Sequence, residues 1–382
     1  MYRASLSKNP IPASVRSFLW LNLWIITALL LGSCSLFVIK PEPVPTGIVD
    51  ADDPNIQYIG RFYAPDLKRR VFDWPGVQIC ANFLGTSCSI RLTDKRNEYA
   101  VIVDHRAPRI LTIDSTIDLY CVASGLADSL PHSIIIQKRT EPLVGKGIFY
   151  GFILDKGRTL LPPEKRPERR IEFIGNSITS GYGVEGESIE CHFSPQTENA
   201  CISYASMTAR ELNADYHLIS YSGRGVVRNY GDSSTTSIDP MPALYDRVCY
   251  SDTIHKWNFS SWVPQVVVIN LGTNDFSTQP YPPKNIFQEA YVRLINCVRS
   301  QYPGITMFCV CGPMIAEPCT GYIREVVEQQ QKRSRDIDVF FVEVKPDTLS
   351  KTDWGCDKHP NITGMSKISD ILSSTIKIRM SW

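Results

Sequence analysis

Four short blocks carry residue types suited to acyl transfer. Gly175-Asn176-Ser177-Ile178-Thr179 places a serine just past the apolar run Ile171 to Ile174. Ser222-Gly223-Arg224-Gly225 supplies a glycine turn, Leu271-Gly272-Thr273-Asn274-Asp275 a side-chain amide, and Asp357-Lys358-His359-Pro360 an imidazole. In such chemistry a serine attacks an ester carbonyl, and a histidine takes its proton and later returns one to the leaving alcohol. The N–H groups of Ser177 and Gly223 and the Asn274 amide would bind the developing oxyanion. Each such donor is typically worth about 3–4 kcal/mol in the transition state. Taken singly, Gly223 and Asn274 read as ordinary strand-end turn residues. The reading rests on all four blocks converging.

That convergence requires a particular scaffold. From Ile171 onward, strand and helix patterns alternate. Strands are expected at Ile171–Ile174, Tyr216–Tyr221, Gln265–Asn270, Ile305–Val310 and Val339–Val344, with helices at Ser203–Asn213, Tyr322–Arg335 and Asn361–Ile378. A further helix follows Asn285, which is placed to cap it with Gln288 as reciprocal partner. Alternation of this kind implies a parallel sheet with helices on both faces, and ligands in such sheets bind beyond the carboxyl ends of the strands. Ser177, Gly223 and Asn274 all follow strand ends. The polar and aromatic stretch 226–262 reads as a long insertion.

Residues 56–160 have another character. Short alternating runs, among them Val77–Leu84, Ser87–Leu92, Tyr99–Val103, Arg109–Ile113, Ser133–Ile136 and Ile148–Leu154, are divided by turn residues. They predict a β-sandwich, with Trp74-Pro75-Gly76 as a packed turn. Leu160 to Arg170 holds three prolines and six charges, so residues 161–170 read as a linker and 171–382 as the second domain.

The chain has 382 residues, room for about two domains and a tail. A net charge of +1, without a basic run interleaved with aromatics, gives no reason to expect a nucleic-acid partner. Arg3, Lys8 and Arg16 precede the apolar run Phe18–Leu31, and Leu31-Gly32-Ser33-Cys34 follows. That run is short for a membrane span and reads as a secretory signal ending in a lipoprotein processing box. Residues 1–34 are thus expected to be a signal segment with Cys34 lipidated, anchoring the chain to a bacterial cell-envelope membrane. Residues 35–55, with four prolines, read as a tether. Twelve cysteines in an exported chain allow disulfides, and Cys191 with Cys201, flanking a polar segment, is the expected pair. Neither a metal site nor another cofactor is indicated.

The order Gly-Asn-Ser-Ile-Thr, strand-end glycine, Gly-Thr-Asn-Asp and His-Pro resembles the SGNH (GDSL-type) hydrolase superfamily over residues 171–382, although Asn176 stands where aspartate is usual. In the N-terminal half, Gly60-Arg61-Phe62, Phe72-Asp73-Trp74-Pro75-Gly76, Ala123-Ser124-Gly125-Leu126 and Lys138-Arg139-Thr140-Glu141 resemble the β-sandwich domain of carbohydrate esterase family two. Asp353-Trp354-Gly355-Cys356-Asp357-Lys358-His359-Pro360-Asn361 is similar to that family's histidine loop. The resemblance implies a jelly-roll-like sandwich followed by a three-layer α/β/α domain. It also implies removal of acetyl groups from xylan- or mannan-type polysaccharides through an acyl-serine intermediate.

Many SGNH enzymes carry aspartate three residues before the histidine, where Cys356 stands here. The resemblance allows a serine–histidine dyad whose histidine is oriented by a backbone carbonyl. Asp357 is the leading third member otherwise, and Asp353 also lies within reach. Among the other histidines only His192 rivals His359 as the base. Trp354 is the aromatic expected against a sugar face, with Tyr182 and Tyr230 behind it, and Arg224 could steer an anionic substrate. The alternatives are another acyl hydrolase (a lipase, thioesterase or peptidoglycan O-deacetylase) or a glycan-binding surface lipoprotein. The insertion, rich in Ser, Asp and Tyr, does not suit a lipase's apolar acyl pocket.

Overall fold

The computed structural model describes residues 47–333 and 336–382. Cys34, the expected signal segment and most of the expected tether lie outside the described residues.

The N-terminal half is built from β1 (Gly47–Asp50), β2 (Gln57–Ile59), β3 (Tyr63–Asp66), β4 (Arg69–Phe72), β5 (Gln78–Leu84), β6 (Cys88–Thr93), β7 (Glu98–Val103), β8 (Arg109–Thr112), β9 (Leu119–Ala123), β10 (Pro131–Lys138), β11 (Gly147–Leu154) and β12 (Leu160–Leu161). One six-stranded sheet runs β3-β4-β11-β6-β9, with β1 also on β11. The other runs β12-β5-β10-β7-β8, with β2 also on β5. Period-two patterning drives the packing. In β5, Ile79, Ala81 and Phe83 are buried while the intervening residues stay half-exposed. Phe72, Phe149, Phe152 and Leu154 fill the same core. Trp74 is fully buried in its turn, and its indole N–H donates to Val248 O at 3.1 Å, so the turn packs on the C-terminal half.

Two expectations at the domain edges change. β1 pairs with β11 from Gly47↔Leu154 to Asp50↔Gly151, so the chain enters the sandwich inside the expected tether. The tether's prolines at 41, 43 and 45 precede this segment, and Gly47-Ile48-Val49-Asp50 has every N–H available for a ladder. At the other boundary Leu160, buried, pairs with Phe83 on the stretch of β5 that β2 does not cover. The expected linker therefore begins inside a sheet.

The C-terminal half is built from β13 (Arg169–Gly175), α1 (Ser177–Ser180), α2 (Tyr204–Glu211), β14 (Ala214–Ser220), β15 (Val266–Asn270), α3 (Thr273–Phe276), α4 (Lys284–Gln301), β16 (Thr306–Cys311), α5 (Cys319–Arg333), β17 (Val339–Glu343) and α6 (Ile362–Met380). The parallel sheet has the order β14-β13-β15-β16-β17. Along β15, Val266 and Val268 pack with Ala205, Met365 and Ile368, whereas Val267 and Ile269 pack with Phe287, Leu294 and Ile323. Helices therefore cover both faces, which is why the strand is apolar throughout.

The expected cap at Asn285 does not form. Helix α4 begins at Lys284 after Pro283, whose φ of −57° already suits helix entry, and no side chain caps it. Gln288 instead donates to Tyr322 O at 3.2 Å and to Glu325 at 2.9 Å, tying α4 to α5. Asn361 does cap α6, accepting from the N–H groups of Thr363 and Gly364.

Candidate active site

Register brings the nucleophile candidate to the sheet edge. Gly175 pairs with Ser220 on one side and Asn270 on the other, so three neighbouring strands end level. Ser177 opens α1 two residues later. Asn176 caps this turn, its Oδ1 accepting the Ile178 N–H at 3.2 Å, a role that asparagine fills as well as aspartate. Gly175 is required by space: a Cβ there would sit 2.0 Å from Thr179 Oγ1. Ser177 is only 7% exposed, and its Oγ lies 2.8 Å from His359 Nε2.

His359 is the histidine that reaches the serine. Burial depresses its pKa to about 4, although the nearby carbonyls of Cys356 and Asp357 and the Asp357 charge act to raise it. Its Nδ1 makes no well-formed hydrogen bond among the described residues, so those two carbonyls are the groups that act on it. The Tyr182 ring lies against the imidazole with centroids 4.2 Å apart.

Neither candidate carboxylate orients His359. Asp357 has φ +50°, and this left-handed turn sends its side chain the other way. There it accepts from Tyr182 Oη at 2.6 Å and from the Phe193 N–H at 3.1 Å, and it lies 2.8 Å from His192 Nδ1. Burial alone would raise its pKa, but the Tyr182 and His192 hydrogen bonds, the His192 charge and the Phe193 N–H hold it low. Asp353 is tied down by Lys367 Nζ at 2.5 Å and by Ser350 and Thr363, with Lys367 the main cause of its low pKa. His192 is occupied by Asp357, not by the serine.

The disulfide joins Cys191 to Cys356, while Cys201 is free and buried. The expected Cys191–Cys201 pair is therefore corrected. Cys201 opens onto the Lys138 carbonyl under the sandwich, and the residue that faces Cys191 comes from 165 positions along the chain. Cys356, standing where a carboxylate is usual, thus anchors the histidine loop to the 185–199 segment.

Gly223 adopts φ +78°, and no atom lies within 3.4 Å of where its Cβ would be, so conformation rather than space calls for glycine. Its carbonyl accepts from the Tyr230 N–H at 2.8 Å, while its own N–H has no acceptor among the described residues. One Asn274 amide N–H donates to Arg224 O at 2.8 Å, which leaves the second for a ligand. Arg224 is paired with Asp239 at 2.6 Å and lies over Tyr221, so it is committed to the protein. Trp354 is half-buried beside the histidine, held by a bridge to Pro360. Tyr230 is 63% exposed and lines a cleft of about 660 Å³ with Ser222, Gly223, Asn229 and Asp239.

Sequence reasoning missed Asp275, the last residue of its own Gly-Thr-Asn-Asp block. Its fully buried carboxylate accepts from the N–H groups of Val226 (2.8 Å), Val227 (2.7 Å) and Arg228 (2.9 Å), fastening the loop that follows Gly223. Burial lifts its pKa to about 6 against the pull of those donors. A carboxylate fixed beside Asn274 was the available signal.

Residues 58–163 match the carbohydrate esterase 2 N-terminal family, and residues 173–367 match the GDSL-like lipase/acylhydrolase family. The chain is 40% identical over 340 residues to the cellulase/esterase CelE of Acetivibrio thermocellus, covering 87% of this chain but 40% of that protein. It is 33% identical over 261 residues to an acetylxylan esterase / glucomannan deacetylase of Cellvibrio japonicus, covering 66% of this chain and 68% of that one. A family two carbohydrate esterase from Clostridium thermocellum, solved in complex with cellohexaose, superposes with a TM-score of 0.79 at 38% identity, covering 86% of this chain and 99% of that one. On both domain matches and on these relatives, the chain belongs to carbohydrate esterase family two and carries a GDSL-like acylhydrolase domain behind its sandwich.

Proposed function

We propose that this protein is a serine esterase that removes acetyl groups from plant cell-wall polysaccharides of the xylan or mannan type. The observation that carries this reading is the 2.8 Å contact between Ser177 Oγ and His359 Nε2 at the carboxyl edge of the sheet. His359, with its pKa near 4, is neutral at neutral pH and ready to accept a proton. Ser177 Oγ attacks the acetyl carbonyl as its proton passes to Nε2. The N–H groups of Ser177 and Gly223 and the free Asn274 N–H take the oxyanion. The imidazolium then protonates the departing sugar oxygen, leaving acetyl-Ser177. A water, deprotonated by the same nitrogen, releases acetate. No carboxylate bonds to His359 among the described residues, and the carbonyls of Cys356 and Asp357 in its own loop favour its protonated form, which supports reading the unit as a dyad.

The relatives' names support the substrate class, as does the polar cleft beside Gly223. The cellohexaose complex of the related esterase favours a second use, glycan binding. The basic and apolar N-terminus ending at Cys34 supports export and lipid anchoring at the cell envelope. Acetate release from acetylated xylan, acetylated glucomannan and an aryl acetate tests the assignment, with Ser177→Ala as the control. The wild type should release acetate and the variant none. Equal activity in both would remove Ser177 as nucleophile, and release from none of the three would leave glycan binding as the function.

A further inference from the structure

The sandwich domain reaches into the back of the oxyanion hole. Glu141 lies in the connection between β10 and β11 and is fully buried. Its Oε2 accepts the backbone N–H of Ser222 at 2.5 Å, one residue before Gly223. Its own N–H donates to the carboxyl group of Glu198 at 3.1 Å. Glu198 and Lys138 are also fully buried, and Lys138 Nζ bonds to the carbonyls of Thr140 (2.5 Å) and Glu141 (3.3 Å). Thr140 Oγ1 donates to Asn97 at 2.6 Å, so the segment is rigid on its sandwich side.

We propose that Glu141 is a positioning residue for the oxyanion donor Gly223, which makes the sandwich domain part of the catalytic unit. The inference rests on the esterase reading above. A left-handed Gly223 aims its N–H only if the preceding peptide is fixed, and Glu141 is the acceptor that fixes it. On the far side the Tyr230 N–H holds the Gly223 carbonyl at 2.8 Å, so the donor is clamped from two directions. The neighbouring acid keeps the geometry. Two buried carboxyl groups beside one lysine are best satisfied when they share a proton. Burial raises the pKa of both, and the Ser222 N–H aimed at Oε2 marks Glu141 as an acceptor.

Kinetics of the full chain on an aryl acetate test this. Glu141→Ala should lower kcat about tenfold to a hundredfold, the scale expected when a catalytic group is misplaced by an ångström, with KM within about twofold. Glu141→Gln keeps an oxygen acceptor at the same reach and should recover most of that loss. Glu141→Asp withdraws the acceptor by one methylene and should behave like Glu141→Ala, which keeps the test usable if the alanine variant does not fold. A kcat within twofold of wild type in folded Glu141→Ala or Glu141→Asp, or a Glu141→Gln as impaired as Glu141→Asp, overturns the proposal and leaves the esterase reading intact. A wild-type chain without activity overturns both.

Discussion

Ser177 and His359 share one hydrogen bond but are held by different means. Ser177 stands two residues past a strand that is paired on both sides, from Ile171↔Tyr216 to Gly175↔Ser220 and from Ile171↔Val266 to Gly175↔Asn270. Its position follows from local sequence: an apolar run, a glycine and a capping asparagine. His359 stands in a loop with no ladder beyond the Trp354–Pro360 bridge. Distant partners hold that loop: Cys191 through the disulfide, Tyr182 and Phe193 through Asp357, and Lys367 through Asp353. The proposed nucleophile is thus placed by a sheet, and the proposed base by cross-links. A perturbation of a cross-link should degrade the base while leaving the serine turn unchanged.

The largest effects are expected at the proposed reacting pair. Ser177→Ala and His359→Ala should each lower kcat at least about 10³-fold, and the double variant should lose little more, because the pair acts as one unit. Additive losses in acetate-release assays would break the claim that they work together. Asn274→Ala removes a side-chain donor and should lower kcat by about 10²–10³-fold with little change in KM.

The pH profile separates base from scaffold. With His359 at about 4, kcat/KM should hold down to about pH 5, where a histidine at its usual value would already have cost about thirtyfold. An acid limb near 6 would mean either that His359 keeps an ordinary histidine value or that Asp275, whose buried carboxyl is lifted to about 6, controls the rate by fastening the loop after Gly223. Stability follows the same sign. The fold depresses His359 below the usual histidine value of 6.5, so its contribution is present above pH 6.5 and is lost as pH falls through about 4.

Cutting the cross-link is the next smaller change. Cys191→Ser opens the tie to Cys356 and should cost about 2–4 kcal/mol of stability. It should also lower kcat by roughly tenfold through a misplaced imidazole. Thermal unfolding and aryl acetate kinetics, each with and without reductant on the wild type, read the two effects separately. A stability loss with unchanged kcat would mean that the loop positions His359 without the disulfide.

The same division explains what was legible in the sequence. The strand ends bearing Ser177, Gly223 and Asn274 were readable because each is a local pattern ending in a turn. The disulfide was not, since nearness along the chain favoured Cys201 while the true partner is 165 residues away. The sandwich motifs were visible as family marks, but not as contacts. Arg61 forms a buried pair with Glu172 of β13 at 3.1 Å, and Asp73 accepts from the N–H groups of Tyr250 and Ser251 at 2.8 Å each. Such contacts have no period or spacing to betray them, because they depend on how two domains meet.

Asp357 offers the finest test, because it is close to His359 in sequence and yet faces away from it. If it were the third member of a relay, Asp357→Asn would cost about 10⁴-fold by stabilising the wrong tautomer. In the geometry found here its carboxylate serves Tyr182, His192 and Phe193, and the asparagine oxygen still accepts from the tyrosine or the Phe193 N–H. The expected loss in kcat is therefore within about threefold. Tyr182→Phe should match it, since the ring contact with His359 survives and only the bond to Asp357 is lost. The two substitutions together should be little worse than Tyr182→Phe alone, because both act on the one hydrogen bond, which Asp357→Asn weakens and Tyr182→Phe removes. A large loss in Asp357→Asn alone, with Tyr182→Phe near wild type, would show a direct carboxylate–imidazole contact during turnover and would turn the dyad into a triad.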